Sequence, residues 1–392
     1  MTIPGLLCGS PELAERWLAL WRQGWPATQV MVLLAATDTA AVPGISAAGS
    51  TPAARRATAA ADAELLLLGP EATRPHALPP LPAGVSPALI SHVVVRSLGL
   101  TPLVVDLGCA LAPAVPHLRL PAPAGGGSAR CLSSGAAMAP QRVAALLGQG
   151  RRWGRRLARR SPAAPLLIAE CVPGGTTTAQ GLLCALGVEA AGLVSGSLRH
   201  PAHGLKAALV EQGLRSAPRL GGEDPHGAVA CLGDPMQPLA AGLLLEAALA
   251  DVPVMLAGGS QMAAVFALAL ALAAPAQRSQ LIQAVAIATT RWVAQEEGSD
   301  LVRLLQQLGR RWQVEPLAFR CSLAFPEPCH PALASYEQGY VKEGVGAGGL
   351  ALLWELSGRD PRELARRCDL ACERLMADSR QGTSEGLRST DG

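Results

Sequence analysis

Aromatic residues make up only 3% of this 392-residue chain, so its core has to be aliphatic. The same scarcity argues against the stacking platforms that hold single-stranded nucleic acids. A strong excess of charge is missing too. The formal net charge is +3, too small to imply a polyanionic partner. One stretch departs from this. Arg151, Arg152, Arg155, Arg156, Arg159 and Arg160 fall on two i, i+4 rows and mark one basic helix face. A solvated face explains it, with contact to nucleic acid or membrane as the alternative. None of the ten cysteines forms a CxxC pair, and no spacing matches a zinc pattern. They lie in apolar segments, as around Cys184 and Cys231, where a free thiol behaves as a small hydrophobe. That points to a reducing cytoplasm and no disulfide framework.

No basic leader is visible, and Glu12, Glu15 and Arg16 interrupt the start early, so no secretory signal is expected. The longest uncharged run lies between Asp251 and Arg278. Pro253, Gly258, Gly259, Ser260 and Gln261 break it. A buried strand, a glycine turn and a buried helix fit it better than one membrane span.

What is abundant is aliphatic: 49% of the chain is hydrophobic and 16% is charged. Several units share one grammar of apolar run, small-residue loop and helical pattern. Strands are expected at Val30–Ala36, Leu103–Asp106, Leu166–Glu170, Val229–Leu232, Val252–Ala257 and Ile282–Ala288. Helices are expected at Pro87–Leu98, Leu239–Ala250, Met262–Ala273 and Leu350–Leu356, and from Asp360-Pro361 to about Met376. Pro113–Ser134 reads as a surface wrap, and the residues from Ala377 as a mobile polar tail. Continuous apolar strands alternating with helices predict an α/β fold: a mostly parallel, Rossmann-like sheet with helices on both faces. Ligands of such sheets bind outside the carboxyl ends of the strands.

The chemistry concentrates at those ends. Glu170 closes an apolar strand and is followed by Val172-Pro173-Gly174-Gly175, then Thr176-Thr177-Thr178. Glycines permit a tight turn, and a helix N-terminus with hydroxyls suits a phosphate. An ordinary N-capped helix fits the same pattern. Neither GxxxxGK[ST] nor GxGxxG is present here. An acid at a strand end needs a partner or a task, and capping of nearby N–H groups is the simpler one. The second cluster is Lys342-Glu343-Gly344-Val345-Gly346, a flexible loop that offers a base and a cation, or a solvated pair at a helix start. Lys206 and Lys342 are the only lysines, which suggests places where a compact ammonium is needed. His200 and His203 form HxxH, but Pro201 and Gly204 argue against a stable helix there, and no metal site is expected. No GxSxG elbow is present.

The order of these segments resembles a known family. They are Thr37-Asp38 with Pro43–Gly49, Val105–Gly108, Ala136–Met138, Glu170–Thr178, Lys206, Gly233–Pro238, Gly258–Met262 and Glu343–Gly346. The chain is similar to nicotinate-nucleotide–dimethylbenzimidazole phosphoribosyltransferases, above all to their divergent cyanobacterial and archaeal branch, from about residue 30 to about 375.

The resemblance implies a large α/β domain over 28–330 and a small helical subdomain from 1–27 and 331–376, with the polar tail at 377–392. It implies a homodimer that uses no cofactor. It also implies transfer of phosphoribose from nicotinate mononucleotide to a benzimidazole or purine base for cobalamin synthesis. Glu343 would be the catalytic base, with Glu170 as its partner. Gly174, Gly175, Thr176 and Thr177 would hold the phosphate, Lys206 would lie near the nicotinate or ribose, and Ser46 near the acceptor base. Gly233, Asp234, Gly258, Gly259, Ser260 and Gly344 complete the implied substrate contacts. The chain departs from the family at Gly175, where the characterised enzymes have Asn, and at Ser195-Gly196-Ser197 and Ala257–Ser260. A binding or regulatory protein that kept the fold without catalysis is the main alternative. A different nucleotide phosphoribosyltransferase or a nucleoside phosphorylase on the same scaffold is the next.

Overall fold

Aliphatic runs without a polar break become the central strands, because only a strand covered on both faces can bury every side chain. The computed structural model describes residues 5–79, 81, 83–121, 123–124, 126–161, 164–218 and 224–388, with side chains to Ala377. Its strands are β1 (Leu6–Cys8), β2 (Gln29–Leu34), β3 (Leu103–Asp106), β4 (Leu118–Arg119), β5 (Leu166–Cys171), β6 (Val254–Ala257), β7 (Val285–Thr289) and β8 (Leu317–Arg320). They form one sheet in the order β1-β8-β7-β6-β5-β2-β3-β4. All pairs are parallel except β1 with β8. The chain moves outward one way from β2 and the other way from β5. The β2–β5 boundary is therefore the switch point, where such sheets open a crevice.

The helices are α1 (Pro11–Gly24), α2 (Pro52–Leu68), α3 (Ala88–Leu98), α4 (Pro140–Arg160), α5 (Gly175–Ala185), α6 (His203–Ser216), α7 (Pro225–Leu232) and α8 (Met236–Ala248). They continue with α9 (Ser260–Leu272), α10 (Pro275–Ala284), α11 (Arg291–Ala294), α12 (Leu301–Trp312), α13 (Pro331–Glu337), α14 (Ala347–Leu356) and α15 (Pro361–Arg388). Polar caps start several of them. Ser10, Thr51, Asp224 and Asp300 accept from the N–H groups of Leu13, Ala54, Gly227 and Arg303 at 3.3, 3.1, 2.9 and 2.8 Å. One face of the sheet carries α2, α3, α14 and α15, and the other carries α4, α5, α8 and α9. α4 and α8 cross closely because a Cβ at Gly150, Gly154 or Gly242 would strike the facing backbone. The expected Rossmann-like sheet with helices on both faces is the observed one.

Local readings needed correction. Val229–Leu232 is the end of α7, not a strand. A four-residue apolar run does not separate the two states, and the Asp224-Pro225 start decides for helix. Strand β7 begins at Val285, and Ile282 lies in the last turn of α10, which ends at Ala284. Segment 1–27 is not purely helical, since β1 extends the main sheet. Helix α6 does start at His203, with Pro201 left outside it. The wrap at 113–134 contributes β4 and is pinned by the buried Arg142 guanidinium, which donates to the carbonyls of Ala124, Leu107 and Gly127. Helix α15 continues past Met376 to Arg388, and 389–392 lie outside the described residues.

Among the described residues no helix is long and apolar enough to cross a membrane. None of the cysteines is paired there. No group of three or more His, Cys, Asp or Glu could hold a metal ion there. On the basic face of α4, Arg151 and Arg155 pair with Glu246 at 3.9 and 2.9 Å, while Arg152, Arg156, Arg159 and Arg160 are exposed.

Candidate active site

A cavity of about 440 Å³ opens at the carboxyl ends of β2, β5 and β6. Small-molecule sites usually span roughly 300–1,000 Å³. Ser46–Ala48 line it from the loop after β2, Glu170–Thr176 from β5 onward, and Gly259–Gln261 from β6 onward. Ser195–Ser197, Glu343 and Gly344 close one flank, while Leu78, Leu81, Val85, Leu375 and Met376 supply apolar surface.

The turn after β5 is formed by Gly174 in the left-handed region (φ +78°), which L side chains rarely adopt. The Gly175 N–H turns back to Val172 at 2.8 Å and the Thr177 N–H to Gly174 at 3.0 Å. Thr176 is the threonine left facing the cavity. A Cβ at Gly175 would collide with Gln261 Oε1. That oxygen is buried without a partner, so Gln261 fills the space that a side chain at 175 would need.

Two carboxyl groups share the cavity in different company. Glu343 Oε2 accepts from the Thr289 hydroxyl at 3.1 Å and the Thr290 N–H at 2.9 Å. Its Oε1 accepts from the N–H groups of Gly344 and Gly348, both at 3.1 Å. Burial raises its pKa, and these four donors oppose the rise. Glu170 accepts one backbone bond, from Val172 at 3.0 Å. Burial pushes it up to about 8, the nearby Glu343 adds to the rise, and the Val172 N–H opposes it; Asp234 raises it further, and the Gln261 side chain opposes. Both carboxyl groups are raised and coupled, and the four donors make Glu343 the better host for the charge that the pair carries.

The loop that presents Glu343 is strained. Val341, Lys342 and Val345 have φ of +64°, +63° and +52°, and positive φ is a true outlier for a β-branched residue. Neighbours hold it in place. The Val345 N–H donates to Glu170 O at 2.9 Å, the Val341 N–H to Ser197 O at 3.1 Å and the Thr290 hydroxyl to Lys342 O at 2.6 Å.

Both lysines are buried behind this flank. Lys342 Nζ donates to Leu198 O at 2.5 Å and Gly339 O at 3.0 Å and pairs with Glu296 at 2.8 Å. Lys206 Nζ donates to Ser195 O at 2.5 Å. Burial pushes Lys206 down to about 8; Glu296 opposes the fall, and Lys342 adds to it. The Ser197 hydroxyl meets Ser46 Oγ at 3.1 Å and accepts from the Ala47 N–H at 2.8 Å. The two lysines therefore brace the wall that carries Ser195–Ser197.

Of the residues named from the sequence, the cavity gathers Glu170, Glu343, Ser46, Gly174, Gly175, Thr176, Gly259, Ser260 and Gly344. The others lie outside its walls. Thr177 is fully buried, with its hydroxyl unpartnered. Lys206 stands one layer back. Gly233 ends α7, and Asp234 accepts from the Thr178 hydroxyl at 2.5 Å and the Met236 N–H at 3.0 Å, behind α5. Gly258 bonds to β7 through Ala288 O at 2.9 Å. His203 donates through Nε2 to Gly298 O and belongs to no group able to hold a metal ion among the described residues. The sequence reading missed Asp62, Ser86, Cys171 and Ser197. Asp62 left one signal, an acid inside a run of alanines.

A family model described as Phosphoribosyltransferase matches residues 88–290. The UPF0284 protein of Prochlorococcus marinus (strain MIT 9313) is 50% identical over 371 residues, covering 93% of this chain and 91% of its own. A UPF0284 protein of Parasynechococcus marenigrum (strain WH8102) is 48% identical over 383 residues, covering 96% and 95%. Among solved structures, CobT from Thermus thermophilus is similar with a TM-score of 0.56 at 18% identity, over 92% of each chain. A nicotinate-nucleotide-dimethylbenzimidazole phosphoribosyltransferase from the same organism gives 0.54 at 18%, over 92% of this chain and 96% of its own. At that identity the likeness establishes the fold.

Proposed function

This chain belongs to the phosphoribosyltransferase family, together with the cyanobacterial UPF0284 proteins, and from that premise we propose that it transfers phosphoribose from nicotinate mononucleotide to a nitrogen base. The acceptor is 5,6-dimethylbenzimidazole or a similar base, and the product is an α-riboside phosphate for cobalamin synthesis. The observation that carries this reading is one cavity holding a glycine–threonine helix N-terminus and two coupled, buried carboxyl groups.

The phosphate sits at the N-terminus of α5, on Thr176 and against the side-chain-free Gly174 and Gly175, where the helix dipole favours an anion. No Lys, Arg or His among the described residues lines the cavity, so its carboxyl groups, with the four-donor Glu343 foremost, set its field. That field suits the positive charge of the pyridinium nucleotide and of the ribose C1′ as the bond to nicotinate breaks. The electron pair of that bond leaves with the pyridine nitrogen. The unprotonated ring nitrogen of the acceptor attacks C1′ from the opposite face with its lone pair, which inverts β to α, and the proton on the acceptor's other ring nitrogen passes to Glu343. Of the four donors on Glu343, the Thr289 hydroxyl can turn away and free a lone pair for that proton. The donor is a monophosphate, so no step calls for a metal ion. Lys206 and Lys342 act as positioning residues through the 195–198 wall. Homodimer formation and a cytoplasmic location belong to the same reading, and light scattering measures the first.

The test is incubation of the protein with nicotinate mononucleotide and a base, with mass spectrometry of the products. An α-riboside phosphate with release of nicotinate is expected. Bound nicotinate mononucleotide without turnover would instead mark a binding protein on the same fold.

A further inference from the structure

The cavity holds one more carboxylate, which the transfer reaction leaves unused. Asp62 lies within α2 among buried alanines, is 5% exposed, and lines the cavity beside Thr58, Ser86 and Cys171. Its Oδ1 accepts from the Ser86 hydroxyl at 2.6 Å, and its Oδ2 from the Cys171 thiol at 3.4 Å. Among the described residues no cation pairs with it. A carboxylate has about four acceptor sites, and here one good donor and one weak one are present. Burial accordingly pushes it up to about 6, with the Ser86 and Cys171 bonds opposing. Side chains alternate along β5, so Cys171 and Asp62 lie on the opposite face of that strand from Glu170 and Gln261. Leu78, Leu81 and Val85 add apolar surface to the same cavity, suited to the ring of a nitrogen base, and a donor on its edge would complete the Asp62 shell.

We propose that Asp62 selects the acceptor by taking a hydrogen bond from an amine or hydroxyl on the edge of a planar nitrogen base. Donor-bearing bases are then preferred over bases carrying methyl groups at that edge. A methyl edge would leave the carboxylate desolvated with only the Ser86 and Cys171 bonds, and sites built to bond an N–H or O–H reject analogues that lack it. This rests on the transfer reading for the identity of the acceptor.

The experiment compares 5-aminobenzimidazole and 5-hydroxybenzimidazole with 5,6-dimethylbenzimidazole. Each is titrated by calorimetry and assayed with nicotinate mononucleotide, on the wild type, Asp62→Asn and Asp62→Leu. Asn keeps the Ser86 bond and replaces one acceptor oxygen by a donor. The wild type should prefer the donor-bearing bases by roughly 10–100-fold, the usual worth of a hydrogen bond to a charged group. Asp62→Asn should remove most of that preference and Asp62→Leu should reverse it. Equal affinity for all bases in the wild type, or an undiminished preference in folded Asp62→Asn, overturns the proposal. Preference in calorimetry without turnover of any base supports Asp62 and sinks the transfer reading. Turnover without preference does the opposite, and no binding and no turnover of any base sinks both.

Discussion

On one side of the cavity the ligand-facing groups are largely main chain, and on the other they are side chains. The turn at Gly174–Thr176 works through backbone geometry and allows no added atom at 175. The side with Asp62, Thr58 and Ser86 works through exchangeable hydroxyl, thiol and carboxyl groups. The first kind of wall fixes what the protein must always hold. The second is where one substitution can change what it accepts. The two carboxyl groups between them repeat the contrast: Glu343 is clamped by four donors and Glu170 by far fewer.

The largest effect tests that last contrast. Glu343→Gln should lower kcat by roughly 10²–10⁴, the usual share of a general base, and should also lower the melting transition, because the amide nitrogen cannot accept from the donors that face one carboxylate oxygen. A wild-type rate in that variant would remove Glu343 from the chemistry. Next comes the backbone wall. Gly175→Ala drives a methyl into Gln261 and displaces the turn; a shift near 1 Å can cost up to roughly 10² in kcat/KM. Adding Gln261→Ala should recover part of the loss, and no recovery would mean the collision is not the cause. Thr176 and its neighbour give a smaller, opposite pair. Thr176→Val should raise KM for the donor about tenfold, a hydrogen bond's worth. Thr177→Val should leave KM alone, since that hydroxyl is buried and bonds to nothing. Equal KM changes in the two would break the distinction drawn here.

The smallest effect is on stability. Glu170 is raised to about 8, and Asp62 and Asp234 to about 6. The folded protein thus keeps protons that the unfolded chain gives up near pH 4. Unfolding free energy should fall as pH rises from about 4.5 to 8, by linkage. Thermal melting at pH 5.5 and 8 measures it, and Glu170→Gln should flatten the part above pH 6. Melting that rises with pH over this range would contradict the buried, weakly paired state of Glu170.

Strands β2, β3, β5 and β6 were legible because each is an apolar run with polar residues only at or beside its ends. The short β1 and β8 were not, since β1 has only three residues and no glycine turn leading into a helix follows β8 to mark it as a strand. Glu170 and Glu343 announced themselves by standing next to glycine turns. Lys206 did so by rarity, but its place behind the wall, bonded to Ser195 O, is a tertiary fact that no spacing encodes. Asp62 stayed hidden because one acid in an alanine helix looks like a solvated face until α3 and β5 are packed against it. Gln261 was noticed only as a break in an uncharged run, and its fit against Gly175 needs two loops from different strands.

The burial of both lysines has a practical side. Lys206 and Lys342 are 0% and 1% exposed. An endoproteinase that cuts only after lysine therefore finds no accessible bond in the native fold, and an amine-acylating reagent finds no free ε-amine. Each becomes a clock for opening of the 195–198 wall, because cleavage or labelling has to wait for that region to come apart. The site's own local stability can thus be timed on unmodified protein, and a ligand bound only to the closed wall should slow the clock by a factor of one plus the ratio of free ligand concentration to Kd.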